Sequence, residues 1–464
     1  MADLPWQRPN ATEATAWETL QHLGLAGSAP PGPGGATALP FPWASWIDAV
    51  QRGLRPPTPP LRRWPDHAPV ATVCQHIGAL EHTAALRAAG VTDVFWSHAR
   101  RGETHRDGLR LHPFPLLPVR CLSHPPDGPP AAAASRPLLY SFQGFQPPGG
   151  PSSGLRRWLL ALPPRPDARV QGRGEWHFEQ EVYREQVHGQ RPDQERHRHL
   201  AADADTYVAT LRQSCFALCP AGAGPNSIRL WEALGFGAIP VILADALALP
   251  GPAALWRQAT LRVPERQEAV AALPEQLERL RGEPERLAAM QAAGHRLWER
   301  YGPPALQDPA NGGASFVADL ADFLRDPDRV LRQRALERLA APTGVAGPPE
   351  GPAEEDAPDG GPPLEEWTLA DPADLPLRLR RWRAQAQEGA RLLLRLNDNR
   401  PAALQERLWG PALRLGASLL AERPCLRWAV SARAPALETL PLEPLALETM
   451  ALETLPLKSL PLKD

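Results

Sequence analysis

Short apolar runs alternate with stretches of helical period along most of this chain. Residues 70–74 (VATVC) and 91–96 (VTDVFW) are β-rich runs on either side of 77–89, where apolar positions recur at helical spacing. That middle stretch stops at Gly90, a residue suited to a helix C-terminus. A strand–helix–strand unit of this kind predicts a parallel sheet. After 125–135, a Pro/Ala/Gly stretch that marks a candidate boundary, the alternation resumes. Residues 138–142, 215–219, 239–243 and 261–263 read as strands. Residues 153–162, 207–213, 227–236, 267–280 and 284–301 read as helices, with a break expected at Pro274. Repeated βα units mean a doubly wound α/β fold.

The pattern weakens at both ends. Residues 1–65 are rich in Pro, Gly and Trp and read as an N-terminal extension with one short helix at 44–51. The two alternating blocks, 66–135 and 136–330, read as two Rossmann-like domains. Residues 342–365 have the composition of a disordered linker. Amphipathic patterns such as 377–396 then suggest a helical appendage over 366–435. The end, 436–464, repeats every five residues (LETLP, LEPLA, LETMA) and reads as a low-complexity tail.

Composition narrows the function classes. The 464 residues carry a net charge of −2, without the basic excess of a nucleic-acid binder. Five scattered cysteines argue for buried thiols in a reducing compartment and against a disulfide framework or a zinc site. No charged-then-apolar leader and no run of about 18 apolar residues is visible, so the expected location is cytoplasmic.

The chemistry concentrates after the strand at 215–219. Gly222-Ala-Gly224 offers a loop that a ligand could approach closely, and Asn226 or Ser227 is a natural cap for the following helix. A helix start with free N–H groups suits a diphosphate. Arg229 falls in the first turn, and Glu232, one turn on, could accept hydrogen bonds from two ribose hydroxyls. No Lys follows the glycines, which excludes a Walker loop. The spacing Gly222-x-Gly224-x-x-Ser227, with Asp245 ending the next strand, approaches a dinucleotide fingerprint, but Pro225 and Ser227 depart from it. A dinucleotide-dependent oxidoreductase therefore stays open at this point.

Taken together, Leu218-Cys-Pro220, Arg229-Leu-Trp-Glu-Ala-Leu234 and Gly237-Ala-Ile-Pro-Val-Ile-Leu243 resemble the signature of exostosin-type glycosyltransferases, and Leu139-Tyr-Ser-Phe-Gln-Gly144 resembles that family's first donor-domain strand. The resemblance covers about 138–250. It implies a GT-B-like fold, two Rossmann-like domains facing across a cleft, with the helical and low-complexity extension added behind. Of the two domains, 66–135 would then be the acceptor side and 136–330 the donor side. It further implies an inverting transfer from a nucleotide-diphosphate sugar to a glycan or lipid-linked acceptor, as in bacterial surface polysaccharide synthesis, with Gly222, Gly224, Asn226, Ser227, Arg229 and Glu232 at the donor. A lipid-linked acceptor would place the protein peripherally at an inner membrane. A non-catalytic scaffold of the same fold is the other alternative.

An inverting transferase needs one general base, and ligands of parallel sheets bind beyond the strands' carboxyl ends. His98 follows the strand at 91–96 and His76 the one at 70–74; they are the first and second candidates. Arg100 and Arg101 could hold an anionic acceptor. Trp176 or His177, near Tyr183, Arg184 and His188, could meet the donor base, and the basic string 191–199 could form a mobile lid. Asp203-Ala-Asp205 has metal-motif spacing but reads as the capped start of a helix. No metal and no cofactor beyond the donor itself are expected.

Overall fold

The computed structural model describes residues 4–26, 34–59, 68–125, 128–145, 154–174, 178–306, 315–340, 364–369, 372, 374–387, 390–396, 402–421, 426–432 and 438. Residues up to Val330 form one compact unit, and those from Leu331 a second.

The first unit holds two five-stranded sheets. The first contains β1 (Thr37–Ala38), β2 (Val70–Cys74), β3 (Asp93–Trp96), β4 (His105–Arg106) and β5 (Leu109–Pro113), in the order β1-β2-β3-β5-β4. All pairs are parallel except β4 with β5, a hairpin turned by Asp107 and Gly108, both at positive φ. Its core gathers Trp43, Ile47, Leu86, Val94, Trp96 and Leu111. Trp43 and Ile47 belong to the helix Trp43–Gln51, which lies with β1 inside the stretch read as an extension. That boundary is corrected: the N-terminal residues build the first domain. A two-residue strand between Pro- and Gly-rich segments has no periodicity to show.

The second sheet contains β6 (Leu138–Phe145), β7 (Ala168–Arg173), β8 (Ser214–Pro220), β9 (Ile239–Leu243) and β10 (Leu261–Arg262), all parallel, in the order β10-β9-β8-β6-β7. β8 and β9 are buried along their whole length, as central parallel strands covered on both faces should be. The helix Gln267–Arg281 runs through Pro274 without the expected break. Proline removes one backbone hydrogen bond there, but its ring is buried beside Val270, Leu273 and Leu277, and that packing holds the helix together. The chain then returns to the first sheet. Phe316 packs on Phe114, and Phe323 on Phe95 and His112, while the Ala36 N–H donates to Leu324 O at 2.9 Å.

Two parallel-sheet domains thus face each other across a cleft, the GT-B-like arrangement. A main-chain seam joins them. The Arg101 N–H donates to Ala246 O at 2.8 Å, the Ala248 N–H to Ala99 O at 3.0 Å, and Arg100 bridges Leu247 in antiparallel fashion. Arg100 and Arg101, expected at an acceptor, lie in this seam.

The second unit carries the expected helices, Asp374–Gln385 and Ala402–Ala421, and adds a three-stranded parallel sheet of β11 (Leu364–Leu369), β12 (Arg391–Leu396) and β13 (Arg427–Ser431) in sequential order. Residues 391–396, read as the end of a helical pattern, are therefore a strand. A short apolar run such as RLLLRL does not separate strand from helix by period. Leu392 and Leu394 join Leu379, Trp382, Trp409 and Leu413 in the core, while Leu393 packs on Ala335 from the other side. Among the described residues, no helix is long and apolar enough to cross a membrane. Of the linker expected at 342–365, residues 342–363 lie outside the described residues and the last two begin β11; of the repeating tail, only Glu438 is described.

Candidate active site

β8 runs into the loop 221–227, which turns into the helix Ile228–Gly235. Ser227 occupies the cap position in extended conformation, but its side chain makes no capping bond. Asn226 does the local work: its Oδ1 accepts from the Ser227 N–H at 2.9 Å and from Trp231 Nε1 at 3.0 Å. Its Nδ2 crosses the cleft and donates to Ser97 O at 2.6 Å.

Arg229 donates through Nη2 to Gln143 O at the end of β6, with its guanidinium 4.8 Å from the Phe142 ring centroid. Its Nε is buried without a partner. Arg156, which the sequence reading missed, reaches the same wall from the helix Gly154–Leu160. It donates to Ala221 O at 3.3 Å and to Phe145 O. Burial, and then the charge of Arg229, lower its pKa to about 10, so Arg156 stays cationic at neutral pH. The two glycines beside them make room: a Cβ on Gly222 would stand 3.0 Å from Arg156 Nη2, and one on Gly144 3.2 Å from Arg229 Nη2. No local pattern flags Arg156, since it lies 65 residues before the Ala221 carbonyl it meets.

Glu232 is 2% exposed. Its Oε1 accepts from the Arg120 N–H at 3.0 Å and its Oε2 from the Tyr207 hydroxyl at 2.7 Å. Burial raises its pKa. Each oxygen thus holds one donor from the protein, and since a carboxylate oxygen has two lone pairs, Glu232 keeps acceptor capacity where it lines the cleft. Tyr207 belongs to the helix Gln194–Gln213, capped by Asp193 through the Glu195 and Arg196 N–H groups. The basic string 191–199 mostly lies in that helix and is not a loop, and Asp203 and Asp205 sit in its interior, away from its start. Phe178 packs on Val119 and Val182, with Arg120 over its ring, at the head of the π-helical segment Glu179–Val187. Trp176 and His177 lie outside the described residues.

The opposite wall carries both histidines. His98 is 7% exposed and its Nδ1 is buried without a partner. Burial, then His76 and Arg100, push its pKa down to about 3, against an upward pull from the Gln75 backbone, so the ring is neutral. Its edge lies against the glycine loop: a Cβ on Gly224 would fall 2.4 Å from His98 Nδ1 and 2.8 Å from Ile77 Cγ2. Gly224 therefore leaves room for His98 while also facing the cleft, where ligand approach is expected. In His76, Nδ1 accepts from the Gly78 N–H at 2.9 Å, so the proton sits on Nε2, 3.4 Å from Asp48 Oδ1.

Between these walls lies a cleft of about 380 Å³ lined by both domains, including all eight residues singled out from the sequence. That volume suits a bound small molecule. Gln7 and Asn10 also line it, brought there by the N-terminal segment. Next to Gln7, Arg8 exchanges two backbone–side-chain hydrogen bonds with Gln186, at 3.0 and 2.8 Å.

Residues 128–277 match the Exostosin GT47 domain. The chain carries an exostosin-like domain. Over 61 residues it is 43% identical to a probable glucuronoxylan glucuronosyltransferase of Arabidopsis thaliana, covering 13% of this chain and 14% of that protein. It is 44% identical over 62 residues to a probable beta-1,4-xylosyltransferase of the same plant, covering 13% and 15%. A probable glucuronosyltransferase of Oryza sativa subsp. japonica is 44% identical over 64 residues, covering 14% and 15%. The match thus spans about a seventh of the length of these curated relatives. A solved structure described as OtsA in its apo form superposes with a TM-score of 0.29 at 13% identity, over 61% of this chain and 73% of that one. So loose a superposition bears on neither fold nor function. The exostosin-like segment holds the whole glycine loop, both arginines, Glu232 and Tyr207, so the match falls on the glycine-loop wall of the cleft.

Proposed function

We propose that this chain is an inverting glycosyltransferase that moves a sugar from a nucleotide-diphosphate donor to a glycan acceptor, free or lipid-linked. The carrying observation is the pair Arg156 and Arg229, two guanidiniums held on backbone carbonyls around the glycine loop and an open helix start. A diphosphate leaving group gains negative charge as the bond to the sugar breaks, and fixed cations aimed at that charge lower the barrier. This supplies positive charge without a divalent ion. Transfer is then metal-independent, and full loss of activity in a chelator would overturn that part. The nucleotide sugar is the only small molecule the reaction requires.

The acceptor hydroxyl loses its proton to a base on the other wall. His98 is the first choice, because its ring is neutral and Nδ1 is unengaged; both nitrogens of His76 are already used. A diphosphate opposite His98 brings negative charge toward a ring whose proton affinity is depressed, and so raises that affinity toward the useful range. The expected setting, a bacterial surface polysaccharide, rests on the sequence resemblance alone, since the relatives above are plant proteins named for glucuronosyl and xylosyl transfer.

A thermal-shift panel tests the reading. Uridine- or guanosine-diphosphate sugars should raise the melting temperature, and NAD or NADP should not. Arg156→Ala and Arg229→Ala should each reduce turnover ~100-fold or more, the scale seen when one charge-stabilising donor is removed. The oxidoreductase reading is disfavoured by two observations. The space beside Gly224 is filled by His98 and Ile77, and the Asp245 carboxylate is engaged by the Glu265 N–H at 3.1 Å. Variants of both arginines with unaltered cellular glycans would instead favour a scaffold.

A further inference from the structure

His98 sits on a loop of the first domain, yet much of what holds that loop comes from the second. Ser97, the residue before it, is 1% exposed, and its carbonyl accepts the 2.6 Å bond from Asn226 Nδ2. The Asn226 amide is fixed in this orientation, because its Oδ1 already accepts from the Ser227 N–H and Trp231 Nε1; a flipped amide would set its NH2 against two donors. The far end of the loop, Ala99 to Arg101, is sewn to 246–248. His98 itself contributes no side-chain hydrogen bond at Nδ1 to fix its ring. Instead its edge rests in the space left by Gly224, two residues before Asn226.

We propose that Asn226 is a positioning residue that clamps the acceptor-side His98 loop to the start of the donor helix, so that the diphosphate cradle and the base are placed by one side chain. The proposal rests on the donor-site reading above. It moves Asn226 from donor contact, the role the sequence suggested, to cross-domain alignment. Because Asn226 immediately precedes Ser227, the cap of the helix that carries Arg229, a shift of that helix start is passed to Ser97 through a buried bond. The groups facing the His98 ring are His76 and the Gln75 carbonyl from the loop after β2, Arg100 on its own loop, and the uncharged Gly224 backbone and Ile77. Within its own domain Ser97 is tied as well, its N–H to Cys74 O at 3.1 Å and its Oγ to Pro115 O at 3.0 Å, so what the Asn226 bond adds is the link to the donor helix.

The test uses the full chain, with Asn226→Ala as the variant and Trp231→Phe as the comparison. Trp231→Phe deletes the Trp231–Asn226 bond, trims the ring packed on Trp256 and Tyr301, and leaves the bond to Ser97. Three readouts are needed: calorimetric binding of UDP and GDP, release of nucleoside diphosphate from a nucleotide-sugar panel, and hydrogen exchange over residues 96–101 with NMR titration of the His98 ring. For Asn226→Ala, turnover should fall ~10–100-fold, the cost of misplacing a reacting group by about an ångström. The nucleotide Kd should stay within about threefold, exchange in 96–101 should rise, and His98 should titrate closer to an ordinary histidine. Trp231→Phe should keep most of the turnover and the slow exchange. Wild-type turnover in Asn226→Ala, equal losses in turnover and nucleotide affinity, or the same loss in Trp231→Phe would each overturn the clamp. If the wild-type protein binds neither nucleotide and cleaves no donor, the donor-site reading fails, while exchange and titration still decide whether Asn226 holds the loop.

Discussion

Gly222 and Gly224 are two residues apart, yet each lacks a side chain for a different neighbour. Beside Gly222 stands the far end of a flexible arginine; beside Gly224 stand a buried histidine ring and an isoleucine. Gly222→Ala should therefore change stability by well under 1 kcal/mol, whereas Gly224→Ala should cost about 1–3 kcal/mol through overpacking, measurable by urea denaturation. Donor-dependent turnover should fall in the second variant as His98 is displaced. The glycine spacing was legible in the sequence, but the second glycine's neighbours were not, because both come from the other domain. Glu232 shows the same limit. Its place one turn after Arg229 was readable, but its burial against Arg120 and Tyr207 depends on a short helix and a long one distant in sequence. Glu232→Ala would strand a buried N–H and a hydroxyl, at about 1–3 kcal/mol for each group.

Two buried acids tie single elements of the first domain together, with opposite dependence on pH. Glu13, on the helix Thr12–His22, accepts from the Ala44 N–H at the start of Trp43–Gln51 and from the Gln75 N–H after β2. Burial raises its pKa to about 8, so folding favours the protonated form. Its contribution is complete below the unfolded value near 4.5 and is lost as pH rises through about 8. Glu13→Gln should flatten the slope of stability against pH across that window. Asp93 on β3 lies the other way. Arg110 at 2.8 Å and His112 at 2.7 Å hold its pKa well below the ordinary range despite burial, so its contribution is present above the unfolded value and lost in acid. Asp93→Asn leaves the Arg110 guanidinium, 2% exposed, without its carboxylate, and should cost about 3–5 kcal/mol in chemical denaturation. β3, which bears Asp93, was visible as an apolar run, whereas β5, which bears Arg110 and His112, was not read as a strand. The helix Thr12–His22 was not visible either, since it lies in a segment whose prolines and tryptophans hide any period.

At the scale of the molecule, residues to Val330 and those from Leu331 form separate compact units. Calorimetry of the full chain should resolve two unfolding transitions, and UDP or GDP should shift only the one belonging to the first unit. A single transition moved as a whole would show that the units unfold together. The alternation of strands and helices disclosed both parallel-sheet domains of the first unit. It did not disclose that 315–325 returns to pack on the first, because a connection across the fold leaves no local signature in the pattern.

The seam at Ala99–Arg101 and 246–248 has a consequence for engineering. Because the halves of the cleft share main-chain hydrogen bonds, exchanging one half for that of another protein would present each backbone with an unmatched edge. Altered acceptor choice is better sought by replacing side chains on the cleft walls, leaving the stitched loops as they are.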